Sequence, residues 1–171
     1  MTMHGVVAYI DGANLHKGAQ SIGLDLDYER LYTWLGFKYH ITDAYLFIGM
    51  IPDNIELYNR LTRIGYKIIF KEVIFDGSGK PKGNCDADLV LKVVSDFYEK
   101  NADEIVLVSS DGDYACVMDF LITRGRRPII LSPSRAPKCS ILLKRTGARI
   151  AYLVDFKHLL RRGPKNSRNH K

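Results

Sequence analysis

Apolar blocks rich in β-branched and aromatic residues recur along the chain at residues 6–10, 44–51, 66–75, 105–108, 128–131 and 149–153. Runs this short with so few polar interruptions predict strands, several of them buried on both faces. Between them, residues 27–37, 53–64, 86–98, 114–123 and 138–145 carry apolar positions at helical spacing. The boundaries have chemistry of their own. Asp27 and Asp53 stand where a carboxylate caps a helix start, and Gly65, Gly125 and Gly147 where a helix can end in the left-handed conformation. Strand alternating with helix implies right-handed crossovers and a parallel sheet covered on both sides. The expected fold class is α/β, a three-layer α/β/α sandwich with a mostly parallel sheet.

Two stretches fall outside this rhythm. Residues 76–83 (DGSGKPKG) hold three glycines, one proline and two lysines just before the helix expected at Asp86, which reads as a mobile flap. From Arg161 onward, RRGPKNSRNHK has no apolar periodicity and too little to bury to repay the entropy of ordering. The expected organisation is one domain over residues 1–160 and a flexible basic tail over 161–171. A hydrophobic content of 46% in 171 residues suffices for one core. No run approaches the roughly 18 to 20 apolar residues of a membrane span, and the first residues lack a secretory pattern, so a soluble, cytoplasmic protein with no membrane partner is expected. Cys85, Cys116 and Cys139 are scattered, without a metal-binding spacing, and read as small buried side chains in a reducing compartment.

Charge adds an asymmetry. Net charge is +6, yet residues 124–171 hold 14 of the 25 Lys and Arg and one acid, Asp155, giving +13 there and −7 in the rest. Such a division suits an anionic polymer lying across an acidic metal site, and equally suits a solvated basic surface.

In an open α/β sheet, ligands bind beyond the carboxyl ends of the strands, so polar residues directly after a buried block are the first candidates. The first block runs into Asp11, Gly12, Ala13 and Asn14; a later one runs through Ser110 into Asp111, Gly112 and Asp113. Each sets an aspartate at a strand-to-helix turn beside a glycine, where backbone bends tightly or approaches a ligand closely. Asp86 and Asp88 open a strongly apolar helix, where an acid can serve a site or merely favour the helix dipole. Were Asp11, Asp86, Asp111 and Asp113 to converge, each pair about 4 Å apart would repel by about 4 kcal/mol at an effective dielectric near 20. A cation relieves that. Oxygen donors without nearby His or Cys favour Mg²⁺ or Mn²⁺ over zinc, and such ions can activate water for in-line attack on a phosphodiester.

Together, AYIDGANL, KGNCDADLVLKV and VSSDGDYACVMDFLITRG resemble the NYN domains of the LabA-like group, a branch of the PIN-like nucleases, over roughly residues 6–153. The resemblance implies a PIN-like, Rossmannoid fold over the 1–160 domain, a Mg²⁺ or Mn²⁺ site and ribonuclease activity. It matches the first-strand acid to Asp11, the central-helix acid to Asp86 and the strand-end pair to Asp111 and Asp113. Asn14 matches the polar residue after the first acid. It stands either to orient a water at the metal or to cap the following helix, and Ser110 either to bond a carboxylate or phosphate or to serve its own turn. Many relatives carry another carboxylate two turns into the central helix, where this chain has Lys92; Asp88 is a candidate replacement, although i and i+2 do not share a helix face. Lys80, Lys82, Arg124, Arg126, Arg127, Arg135 and Lys138 are the candidate contacts to an RNA backbone. Tyr114 reads as a base-stacking ring or as packing.

The competing function is a non-catalytic RNA-binding or regulatory module with the same fold, suggested by Lys92. Self-association into a homodimer is compatible with either. A haloacid-dehalogenase-like phosphatase would want a second aspartate where Ala13 stands, and no GxGxxG follows the first strand to support a dinucleotide enzyme. A receiver domain would share the acidic pocket, against which stand the basic C-terminal third and the SDGD turn.

Overall fold

The computed structural model describes residues 5–79, 81–82, 85–99 and 101–164. Chain order is β1 (Val6–Asp11), α1 (Gly12–Ser21), α2 (Tyr28–Tyr39), β2 (Ile41–Gly49), α3 (Ile55–Ile64), β3 (Lys67–Lys71), β4 (Ile74–Phe75), β5 (Pro81–Lys82), α4 (Asp86–Tyr98), β6 (Glu104–Val108), α5 (Ala115–Thr123), β7 (Ile129–Ser132), α6 (Ile141–Arg145), β8 (Arg149–Tyr152) and α7 (Lys157–Leu160). One-turn 3-10 helices stand at Pro52–Asn54, Gly112–Tyr114, Ala136–Lys138 and Leu153–Phe156. Six strands form one sheet in the order β3-β2-β1-β6-β7-β8, every neighbouring pair parallel. The winding reverses between β1 and β6, which opens a crevice beyond their carboxyl ends, the topological switch point. The three-layer α/β/α sandwich is therefore what forms.

Side chains alternate across the sheet and feed two cores. Ala8 and Ile10 of β1 pack with Leu15, Leu31 and Leu35 of α1 and α2, while Val7 and Tyr9 pack on the other face with Leu89, Val93, Val117 and Leu121 of α4 and α5. Tyr9, Leu15, Leu35, Leu89 and Leu107 are fully buried, and truncating such a leucine to alanine costs about 2 to 5 kcal/mol. Asp11 follows Tyr9 by two, so period-two alternation turns it toward the α4 and α5 side. The strand thus aims the carboxylate.

Several local expectations change. The helix expected after the strand-to-helix turn at Asp11 forms over Gly12–Ser21, although apolar spacing does not mark it: its buried stripe is only Gly12, Leu15, Gly18 and Ala19. The helix starts because Asp11 caps it, accepting from the Asn14 backbone N–H at 3.0 Å. Gly12 is required by space, since a Cβ there would stand 2.8 Å from the Phe47 carbonyl oxygen of β2. Asp27 caps α2 as expected, accepting from the N–H groups of Glu29 and Arg30. Asp53 does not cap α3: it lies inside the Pro52–Asn54 turn, and Asn54 precedes the helix without a side-chain cap. Gly65, Gly125 and Gly147 all have positive φ.

The block expected over 66–75 breaks after Lys71, and Ile74–Phe75 pairs antiparallel with Pro81–Lys82. The described part of the expected flap thus holds a two-stranded ribbon, and Asp76 Oδ1 accepts from the Ser78 N–H and hydroxyl at 2.9 and 2.6 Å. Of the expected tail, 165–171 lie outside the described residues. Before that, Arg161 bridges to Leu26, and the Arg162 N–H donates to the Asp25 carbonyl at 2.9 Å. No helix among the described residues is long and apolar enough to cross a membrane.

Candidate functional site

Three elements deliver acids to the switch point: Asp11 at the end of β1, Asp86 at the start of α4, and the Asp111 to Asp113 turn beyond β6. That turn is built locally. Asp111 Oδ1 accepts from the Asp113 N–H at 3.1 Å, and the Ser109 hydroxyl accepts from the Asp111 N–H at 3.1 Å. Gly112 admits the chain that follows β7, since a Cβ would fall 2.4 Å from the Ser140 hydroxyl. Asn14 ties the two strand ends together: its Oδ1 accepts from the Ser110 N–H at 2.9 Å and from the Ser110 hydroxyl at 3.0 Å. Ser110 and Ser134 hydroxyls also meet at 3.0 Å. Both residues fasten the site's frame, and Asp11, not Asn14, holds the helix cap.

Carboxylate oxygens of Asp86, Asp111 and Asp113 lie within 4.8 Å of one another, a spacing one cation can bridge. Asp11 stands beside this trio rather than in it. Its Oδ2 and Asp86 Oδ1 meet the same phenol, the Tyr114 hydroxyl, at 3.0 and 2.6 Å. A cavity of about 220 Å³ opens over them, lined by Asp11, Asn14, Lys17, Asp86 and Asp111 and backed by Phe47 and Ile48.

The electrostatics follow from this crowding. Burial pushes the Asp11 carboxyl above the usual carboxylate range; the Asn14 N–H and Tyr114 hydroxyl pull it back, and the charges of Asp86 and Asp111 push it up again. Burial, the nearby Asp11 charge and the bond to Asp86 drive the Tyr114 phenol far above its ordinary value, so it stays protonated and donates. Cys85, at the rim, is pushed up to about 11, chiefly by burial and then by Asp11, which leaves it a neutral thiol. Among the described residues no Lys or Arg forms an ion pair with Asp11, Asp111 or Asp113. The trio offers only oxygen donors, with neither His nor Cys in the group, which fits a hard divalent cation.

Other expected residues go elsewhere. Asp88 points out of the trio and pairs with Lys71 of β3 at 3.0 Å, so it does not replace a ligand. Lys92 bonds Asp96 one turn on at 2.6 Å and lies 4.6 Å from the Tyr45 ring centre. Asp96 is buried and also accepts from the Tyr9 hydroxyl at 2.7 Å. Lys92 therefore neutralises a buried acid within the fold.

The basic candidates divide. Arg135 and Lys138 are exposed in the loop after β7, at the same end of the sheet as the acids. Arg124, Arg126 and Arg127 lie between α5 and β7, at the opposite, amino end. There Arg126 and Arg127 line a cavity with Glu104 and Arg149, the first residues of β6 and β8. Arg124 sits over the Phe120 ring at 3.8 Å, and Arg126 donates to the Asp103 carbonyl at 3.1 Å. Lys80 lies outside the described residues, and of Lys82 only the backbone pairing with Ile74 is described.

One residue at the site was missed, and a second was read only as stacking or packing. Lys17 is exposed on α1 and lines the acidic cavity; once Asp11 is seen to start a helix, Asn14 and Lys17 fall three apart on one face. Tyr114 is not a stacking ring but is fully buried. Its place directly after Asp113 gave no signal that its hydroxyl would reach two other acids.

A parallel sheet wound in both directions from β1 and β6, with aspartates gathered at the reversal, defines a Rossmannoid domain of the PIN-like kind. The NYN domain family model matches residues 6–152, and the chain belongs to that family. A crystal structure of a protein of unknown function from Vibrio parahaemolyticus is similar in fold, with a TM-score of 0.71 at 17% identity, covering 90% of this chain and 96% of that one. No curated protein matches the chain in sequence.

Proposed function

We propose that the protein is a divalent-metal-dependent ribonuclease that hydrolyses RNA phosphodiester bonds at the acidic crevice. The observation that carries this reading is the Asp86, Asp111 and Asp113 trio, oxygens within 4.8 Å, at the switch point of an NYN domain. These three would hold Mg²⁺ or Mn²⁺, with Asp11 beside them. When bound, such an ion supplies Lewis acidity for activating water and for stabilising the leaving oxygen.

The chain's own residues have separate tasks. Asp11, buried and with its proton affinity raised, is suited to accept a proton from an attacking water. Lys17, free of ion pairs among the described residues, presents an ammonium to a non-bridging phosphate oxygen. Arg135 and Lys138 extend the basic track along the backbone at the same sheet end. Contacts of this kind supply affinity without sequence reading.

Purified protein should cleave single-stranded RNA with Mn²⁺ or Mg²⁺ and stop with EDTA. Asp111→Asn, purified identically, should lose at least about 100-fold, because an amide binds a hard cation poorly. The competing reading is an RNA-binding module without turnover, favoured by Lys92 at a position where an acid was expected. Equal RNA cleavage by wild type and Asp111→Asn, with RNA binding retained, would decide for it.

A further inference from the structure

The Gly112–Tyr114 turn does more than present Asp111 and Asp113. Its last residue, Tyr114, is fully buried in the core beneath the site, packed with Leu89, Val117 and Leu121. Its hydroxyl lies 2.6 Å from Asp86 Oδ1 and 3.0 Å from Asp11 Oδ2. One hydroxyl carries one proton, so the shorter contact, to Asp86, is the donated bond. Charge-assisted bonds of this length are about twice as strong as neutral ones.

Asp86 opens α4 after Cys85, whose side chain makes no capping bond. The Asp111 turn, by contrast, is fixed by its own bonds from Asp113 and to Ser109. Packing alone would be served by a phenylalanine, since the ring fills the core and only the hydroxyl meets the acids.

We propose that Tyr114 is the positioning residue of the metal site: its hydroxyl sets the Asp86 carboxylate against Asp111 and Asp113. One turn thereby presents two ligands directly and places the third through its tyrosine. The inference rests on the proposed metal site, and it assigns to Tyr114 a role in cation affinity rather than in touching RNA.

The test is Mn²⁺ binding to the full chain, followed by electron paramagnetic resonance of the free ion, for wild type and Tyr114→Phe. Loss of a hydrogen-bonding partner behind a metal ligand lowers affinity by roughly 10- to 100-fold. Tyr114→Phe should show that loss while its metal-free melting temperature stays within a few degrees of wild type. Equal Mn²⁺ affinity in the two proteins overturns the role of Tyr114 and leaves the metal site standing. Absence of Mn²⁺ binding to wild type overturns both. Should Tyr114→Phe fail to fold, a crystal structure of wild type soaked in Mn²⁺ decides: the phenol within hydrogen-bond distance of Asp86 supports the assignment, and a phenol turned away from it contradicts it.

Discussion

The two ends of the sheet hold opposite charges and settle them differently. At the amino end, Arg126 bonds the Asp103 carbonyl and stands 3.8 Å from its carboxylate, and Arg124 covers the Phe120 ring. Both are local partnerships between groups near in space and at least partly open to solvent, worth little in stability. At the carboxyl end, Asp11, Asp111 and Asp113 have no Lys or Arg ion-pair partner among the described residues, and Asp111 and Asp113 share a cation-sized trio with Asp86. A fold selected for stability alone would place bases among those acids, as it does for Asp96 with Lys92. The acids left without such partners among the described residues lie at the end where the proposed chemistry would take place.

The largest effect that would break this contrast is on turnover. Asp86→Asn and Asp113→Asn should each lower RNA cleavage by at least about 100-fold with native far-UV circular dichroism, whereas Asp103→Asn at the amino end should leave it unchanged. Comparable losses at both ends would erase the distinction. Next in size is RNA binding. Replacing Lys17, Arg135 and Lys138 together with glutamine should weaken binding and flatten its salt dependence, by roughly 0.7 in the log-log slope for each phosphate of a single strand that is no longer neutralised. The same change at Arg124, Arg126 and Arg127 should move the slope less, a comparison read from affinities at several salt concentrations.

A smaller effect concerns stability without metal. The carboxyl of Asp11 has a higher proton affinity folded than unfolded, so the native state binds more protons and stability falls as pH rises through that raised value. Asp11→Asn removes the penalty. The variant should melt above wild type at pH 7, and the gap should narrow as pH falls toward the ordinary carboxylate range. A gap that is constant with pH would show that the charge of Asp11 is not under strain.

Strand pattern and boundary residues carried most of the architecture, because blocks such as VVAYI and EIVLV are buried on both faces and leave little choice. Helix α1 was legible only from the strand-to-helix turn and not from apolar spacing, because its buried stripe is two glycines, a leucine and an alanine, and its cap is the same aspartate that is proposed to serve the site. The acids Asp11, Asp86, Asp111 and Asp113 were legible as residues at element ends. Their division into a trio and a neighbour was not, since it depends on how the end of β1, the start of α4 and the turn beyond β6 are set against one another in space. Basic residues were read by their density in the last third of the chain. Density ignores which end of the sheet a loop reaches, and α5 carries Arg124, Arg126 and Arg127 away from the acids while the loop after β7 returns Arg135 and Lys138 to them.

The central claim is that the carboxyl-end acids form a cation site, and anomalous scattering from crystals soaked in Mn²⁺ tests it most directly. The account predicts a peak bounded by Asp86, Asp111 and Asp113, with Asp11 adjacent, that disappears in Asp111→Asn. Crystals that show no peak there, or a peak unaffected by that substitution, would contradict it.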